Sequence, residues 1–240
     1  MASGDSKTSE DTTFGASFAD IFLAGVKGYL RNIVPLSLAA GLTLGIYLVF
    51  RFPAQDAFVE GNVVQSLGLD LIGLMLGSIF AYPWYCYALS AADGERADLM
   101  APLRNLKGFS AQIVASFWFW AAVMLGLRYL FGIPSILAVL FYAFYGFAIA
   151  DGVADGGLKA LGYSVRVGEG KRIGLFALAG VFLIFNLFGA IAVGYEVTTL
   201  TIGLAIVGLM ITTSITMVAG GRVFRLLQES SGVERKRGRQ

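Results

Sequence analysis

Residues 71–92 read LIGLMLGSIFAYPWYCYALSAA, with Asp70 immediately before them and Asp93 immediately after. These 22 uncharged residues fall within the roughly 17–25 mostly apolar residues that one helix needs to cross a bilayer. Five other stretches have the same character. They are 34–50, opened by Pro35 and closed by Arg51; 110–127, ended by Arg128; 133–150, entered through Gly132 and Pro134 and ended by Asp151; 173–195; and 199–221, stopped by Arg222. None alternates in polarity at every second residue, as barrel strands do. The expectation is an all-α integral membrane protein of six transmembrane helices joined by short loops.

Composition agrees. Of 240 residues, 57% are hydrophobic and only 14% are charged, against roughly 25% charged in an ordinary soluble domain. Mean hydropathy is +0.73. A chain of this size has too little interior to hide that much apolar surface from water. The chain has 31 glycines, no histidine and a single cysteine, Cys86. That excludes imidazole metal sites, Ser-His and Cys-His nucleophile pairs, and an internal disulfide. Gly168-Glu169-Gly170-Lys171 lacks the length and the preceding strand of a phosphate loop. No cofactor is implied. The net charge of +2 and the lack of a binding domain argue against nucleic acid as a partner.

The basic residues set the orientation. With six spans, 16 of the 18 lysines and arginines fall on the side of the two termini, leaving only Arg51 and Arg128 opposite. Both termini are therefore expected in the cytoplasm of a cell whose inner (plasma) membrane holds the chain. Residues 1–16 read as a disordered cytoplasmic tail and 230–240 as a basic one, flanking a single membrane domain over 17–229.

Short amphipathic segments recur on the cytoplasmic side. Phe18, Ile21, Phe22, Gly25, Val26, Tyr29 and Ile33 share one helical face, with Asp20, Lys27 and Arg31 opposite. This fits a helix at the membrane interface, and equally the extension of a tilted first span. Leu99, Leu103 and Leu106 make a stripe after span two, and Leu158, Leu161 and Val165 another after span four. Each segment begins with Ala-Asp, at 19–20, 97–98 and 154–155. The order suggests three copies of interfacial helix plus hairpin. Lys27, Arg31, Lys159, Arg166, Lys171, Arg172, Arg235, Lys236, Arg237 and Arg239 are then candidate contacts for anionic lipid. Membrane lipids are the expected partners, with a membrane-protein partner or a second copy of the chain beside them.

Residues 150–152 (Ala-Asp-Gly), 157–161 (Gly-Leu-Lys-Ala-Leu), Ser164 and 168–170, together with Tyr82 to Asp93, carry a resemblance. They resemble the family that unites YciC-like proteins with the membrane domain of some bacterial glycerophosphodiester phosphodiesterases. The likeness covers mainly the central and C-terminal hairpins. It implies a six-span bundle with interfacial helices and no catalytic residues, and the phosphodiesterase domain itself is absent.

Charged residues deep in a span are rare and often functional. Asp70, Arg128 and Glu196 all map to the outer side, where they form a polar cluster at a substrate entrance or stand as ordinary charges at helix ends. Asn186 lies centrally in span five and reads as a helix-joining amide or a ligand contact. Pro83 removes a hydrogen bond inside span two and should kink it, as a gate or as a packing feature. Gly41-Leu-Thr-Leu-Gly45 and Gly73-Leu-Met-Leu-Gly77 suit close contact within the first hairpin. The functional expectation is a non-enzymatic structural, accessory or lipid-associated protein. The alternative is a transporter or channel for a small or amphiphilic solute.

Overall fold

Why six apolar stretches make this fold follows from the solvent they suit. In hydrocarbon every backbone N–H and C=O must be satisfied within its own segment, which favours helices. The computed structural model describes residues 14–129, 131–194 and 198–231, and all regular structure among them is helical. Six helical stretches are long and apolar enough to cross a membrane. The helices are α1 (Phe18–Arg31), α2 (Ile33–Val59), α3 (Val63–Ala92), α4 (Leu106–Tyr129), α5 (Ile133–Tyr142), α6 (Tyr145–Ala150), α7 (Gly157–Val167), α8 (Arg172–Gly189) and α9 (Thr199–Ser231).

Three hairpins result: α2 with α3, α4 with α5–α6, and α8 with α9. Each closes on small residues toward the end away from the chain termini. A Cβ placed on Gly73 would lie 2.6 Å from Phe50 Cβ, and one on Gly126 would lie 2.6 Å from the Ser135 backbone nitrogen. In the third hairpin Gly189 and Gly208 bring the two backbones into direct contact. Close approach of this kind replaces the hydrophobic driving force that apolar helices lack in an apolar solvent. The glycines of span two face α2 as expected, Gly77 meeting Thr43 O, whereas Gly41 faces Met210 of α9.

The buried core lies toward the end that carries α1, α6 and α7. Its members include Ile21, Leu36, Tyr82, Ala88, Phe147, Leu161, Val218 and Phe224. On the outer half of α8, Leu183, Ile184, Leu187 and Phe188 are all exposed. That distribution suits a bundle whose outer hairpin arms face hydrocarbon.

Several boundaries differ from the sequence reading. Span two begins at Val63 rather than Leu71, because Asp70 is paired with Arg51 and the helix runs on through it. Span six passes Arg222 and ends at Ser231, and it is largely buried from Val223 to Gln228. Span four is broken at Ala143 and Phe144, and the freed Phe144 N–H donates to Ser164 Oγ of α7 at 3.1 Å. Span five ends at Gly189 and passes into a 3-10 turn, Ile191–Gly194. Phe14, within the stretch read as polar tail, is buried and packs near Phe18.

The amphipathic segments differ among themselves. α1 forms where expected, and Ser17 caps it by accepting the Asp20 N–H at 3.1 Å. Its apolar face, however, meets protein. A Cβ on Gly25 would sit 2.8 Å from Ile215 O, and one on Gly28 2.9 Å from Ala91 O. α1 is thus seated against α9 and α3. The Leu99–Leu106 stripe is not an α-helix. Asp98 Oδ1 accepts the Met100 N–H at 2.9 Å, and Pro102 opens a 3-10 turn, Pro102–Arg104. A proline disfavours helical geometry in the residue before it. Leu99, Leu103 and Leu106 are all exposed.

The third hairpin gives a direct test. A Gly208→Leu substitution forces a side chain into the Gly189 backbone and should lower the unfolding midpoint in detergent, by about 1–3 kcal/mol of stability. Gly45→Ala meets nothing within 4 Å and should leave the midpoint unchanged or slightly raised. Circular dichroism melts of both variants check the contrast.

Candidate functional site

Two of the spans end in the same tripeptide, Ala92-Asp93-Gly94 and Ala150-Asp151-Gly152. In each, the aspartate is the helix C-cap and the glycine follows with positive φ, +80° and +70°. Glycine suits that left-handed position because a Cβ would be strained there. The two carboxylates, however, stand where the helix dipole is negative. They need a cation, and α9 supplies it.

Arg225 lies buried between them. Its Nη2 donates to Asp93 Oδ2 at 2.7 Å and its Nε to Asp93 Oδ1 at 2.9 Å, a two-pronged pair. Its Nη1 donates to Asp151 Oδ1 at 2.6 Å and to Gln228 Oε1 at 3.0 Å. Gln228 Nε2 then donates to Asp151 Oδ2 at 2.9 Å and to the Tyr163 hydroxyl at 3.1 Å. The Arg225 side chain is 8% exposed and that of Asp151 10%. Asp93 and Asp151 from the first two hairpins, Arg225 and Gln228 from the third, and Tyr163 from α7 thereby meet in a single hydrogen-bonded knot. The neighbouring helix junction is tied in the same manner. Buried Asn32, between α1 and α2, donates through Nδ2 to Gly28 O and Glu95 O and accepts the Ala97 N–H at 2.8 Å.

Sequence reasoning counted Arg225 among the topology-setting charges and treated Asp93 and Asp151 as helix ends. The signal that would have found the knot is the repeated Ala-Asp-Gly. A second signal is an arginine inside the apolar run Val223-Phe224-Arg225-Leu226-Leu227.

The residues singled out from the sequence fall elsewhere. Asp70 is buried and pairs with Arg51 of the neighbouring helix, Nη1 to Oδ2 at 3.0 Å. The Arg128 side chain, Glu196, Arg235, Lys236, Arg237 and Arg239 lie outside the described residues. Asn186 joins helices, donating through Nδ2 to Thr216 Oγ1 of α9 at 3.3 Å. α3 continues unbroken through Pro83. Lys27 and Arg166 are exposed and Lys171 is half-buried. Arg31 reaches Gly94 O at 3.4 Å, and Lys159 pairs with Asp155 at 3.5 Å. Arg172 lies over the Phe141 ring, 3.6 Å from its centroid, and donates to Val165 O. Its buried Nη1 has no partner among the described residues.

A cavity of about 130 Å³ opens among the three hairpins. Tyr47 of α2, Trp84 and Tyr85 of α3, Trp120 of α4, Tyr145 of α6 and Met217 of α9 line it. Its surface is almost wholly apolar. Of the polar groups on it, Thr43 donates to Ala39 O, Ser78 to Met75 O and Tyr145 bonds with Ser116, whereas the buried Trp84 Nε1 has no hydrogen-bond partner among the described residues.

Comparison with family models, with curated proteins and with solved structures found no match.

The knot predicts a pattern of stabilities. Removing the cation alone, as in Arg225→Met, takes the guanidinium from the nearly buried Asp151, 10% exposed, and from the part-exposed Asp93, 24% exposed, and should cost about 3 kcal/mol, the low end for breaking a buried pair. Adding Asp93→Asn and Asp151→Asn to that variant should recover much of the loss. Thermal unfolding of the single and triple variants in one detergent measures the difference.

Proposed function

We propose that this chain is a non-enzymatic protein of a bacterial-type inner membrane, a structural, accessory or lipid-associated component with both termini in the cytoplasm. The resemblance to the YciC-like and phosphodiesterase-associated membrane domains belongs to the same proposal. One observation carries the reading. The charged side chains described within the bundle are engaged with one another, Arg225 with Asp93 and Asp151 and Arg51 with Asp70. Intramembrane ionisable groups that move ions or protons face a pathway instead. What the bundle offers at its centre is apolar. At its termini-side end stand exposed Lys27, Arg31, Lys159 and Arg166, which suit an anionic leaflet at about 1 kcal/mol for each charge near the surface.

A transporter or channel for a small or amphiphilic solute is the second reading. It takes its support from the central cavity, which residues of all three hairpins line.

Purification in mild detergent, with lipid analysis and identification of co-purifying proteins, tests the first reading against the second. The expected result is retained anionic lipid or a specific membrane partner, with no solute flux in proteoliposomes. A lipid-free, partner-free protein that conducts a solute overturns it.

A further inference from the structure

We propose that the central cavity is the binding site for a short segment of one acyl chain of a membrane phospholipid whose phosphate is held by Arg51. The proposal rests on the lipid-associated reading and names the ligand.

Three observations converge on it. First, the cavity's chemistry is that of a hydrocarbon guest. Its volume is about 130 Å³ and its walls are Tyr47, Trp84, Tyr85, Trp120, Tyr145 and Met217. Apolar cavities of roughly 150 Å³ stay dry and take up apolar guests the size of benzene. Met217 is unbranched and flexible and so adapts to an irregular guest. Thr43, Ser78 and Tyr145 already have hydrogen-bond partners, which leaves a polar solute chiefly the one unpartnered indole N–H of Trp84.

Second, the cavity lies at the depth of acyl chains. Its α2 wall runs from Thr43 to Tyr47, well inside Ile33–Val59. At 1.5 Å per residue that is about 15–21 Å from the start of the helix. Water is absent at such depth and hydrocarbon is the surrounding medium.

Third, a phosphate ligand stands at the right distance above it. Arg51 follows Tyr47 by four residues, which puts the two on one face of α2, one turn apart. The Arg51 side chain is 41% exposed, whereas that of Asp70 is 7% exposed. Asp70 takes only Nη1, at 3.0 and 3.4 Å. Asp70 therefore holds the guanidinium in place, and the rest of its donor fork remains for an acceptor. Arginine recognises phosphate through such a fork. An amphiphile with its phosphate at Arg51 directs its chain down α2 past Tyr47 into the cavity.

The test uses the full chain in nanodiscs doped with phosphatidylglycerol that carries a diazirine on one acyl chain. After irradiation, mass spectrometry maps the adducts. The expected result is labelling at Trp84, Tyr85, Trp120 or Met217, competed by unlabelled phosphatidylglycerol. Ala81→Phe, which fills the cavity from α3, should lower that labelling at least fivefold. The paired Arg51→Gln, Asp70→Asn variant, which leaves no orphan charge, should lower labelling by the phospholipid probe about threefold or more. It should leave labelling by a diazirine diacylglycerol, which lacks phosphate, unchanged. Adducts confined to exposed α8 residues such as Leu183 and Leu187 overturn the proposal, as does cavity labelling that Ala81→Phe leaves intact. If Ala81→Phe fails to fold, failure of competition in the unaltered protein overturns it equally. Loss of the phosphate dependence alone overturns the role of Arg51. A negative labelling result combined with retained lipid or partner in the purification assay refutes this site and leaves the accessory reading standing.

Discussion

The fold depends most on a buried arginine that stands between two helix ends. Apolar helices in an apolar solvent have little reason to choose one another. Small residues permit close approach, and they do so within each hairpin: Gly73 against Phe50, Gly126 against Ser135, Gly189 against Gly208. Joining the hairpins takes something more specific. Arg225 provides it by engaging Asp93 and Asp151, the C-caps of α3 and α6. The arrangement is strong because the alternative is poor: two carboxylates at the negative ends of helix dipoles, or an arginine with no partner in a dry core. Gln228 donates to the second oxygen of Asp151 and to the Tyr163 hydroxyl, which brings α7 into the same network.

From that knot the asymmetry of the molecule follows. The hairpins are bound together at the termini-side end, where α1, α6 and α7 fill the gaps and the aromatic core of Phe144, Phe147 and Phe224 forms. α1 belongs to this end as a structural element. Gly25 and Gly28 let it sit against the backbones of α9 and α3. Asn32 then holds the turn into α2 against the loop that follows Asp93. The central cavity lies between the three hairpins, and its apolar walls are what such an arrangement leaves when polar groups are gathered elsewhere.

Much of this was legible without coordinates. The six apolar stretches, their turn residues and the amphipathic α1 and α7 follow from local patterns, because a helix satisfies its own backbone and shows its environment in its periodicity. Asn186 as a joining residue was also within reach. The leucine stripe at 99–106 misled because three apolar residues at helical spacing do not outweigh Pro102 and the Asp98 turn. Asp70 was read as a charge near a helix end and given no partner from α2, whereas it pairs with Arg51. Arg51 had been set aside as the charge that closes a span. The knot escaped notice because its members are separated by 132 and 74 residues.

The sequence by itself determined the class of the protein, the number of helices able to cross a membrane and the uneven distribution of its basic residues. These are sums and periodicities over neighbouring positions, and they need no knowledge of what meets what. The tertiary structure alone decided which charges are engaged, which face of α1 is covered and where empty apolar space remains. Those outcomes depend on contacts between distant segments. A charge at a helix end reads the same in sequence whether it faces lipid, water or a buried partner such as Arg225.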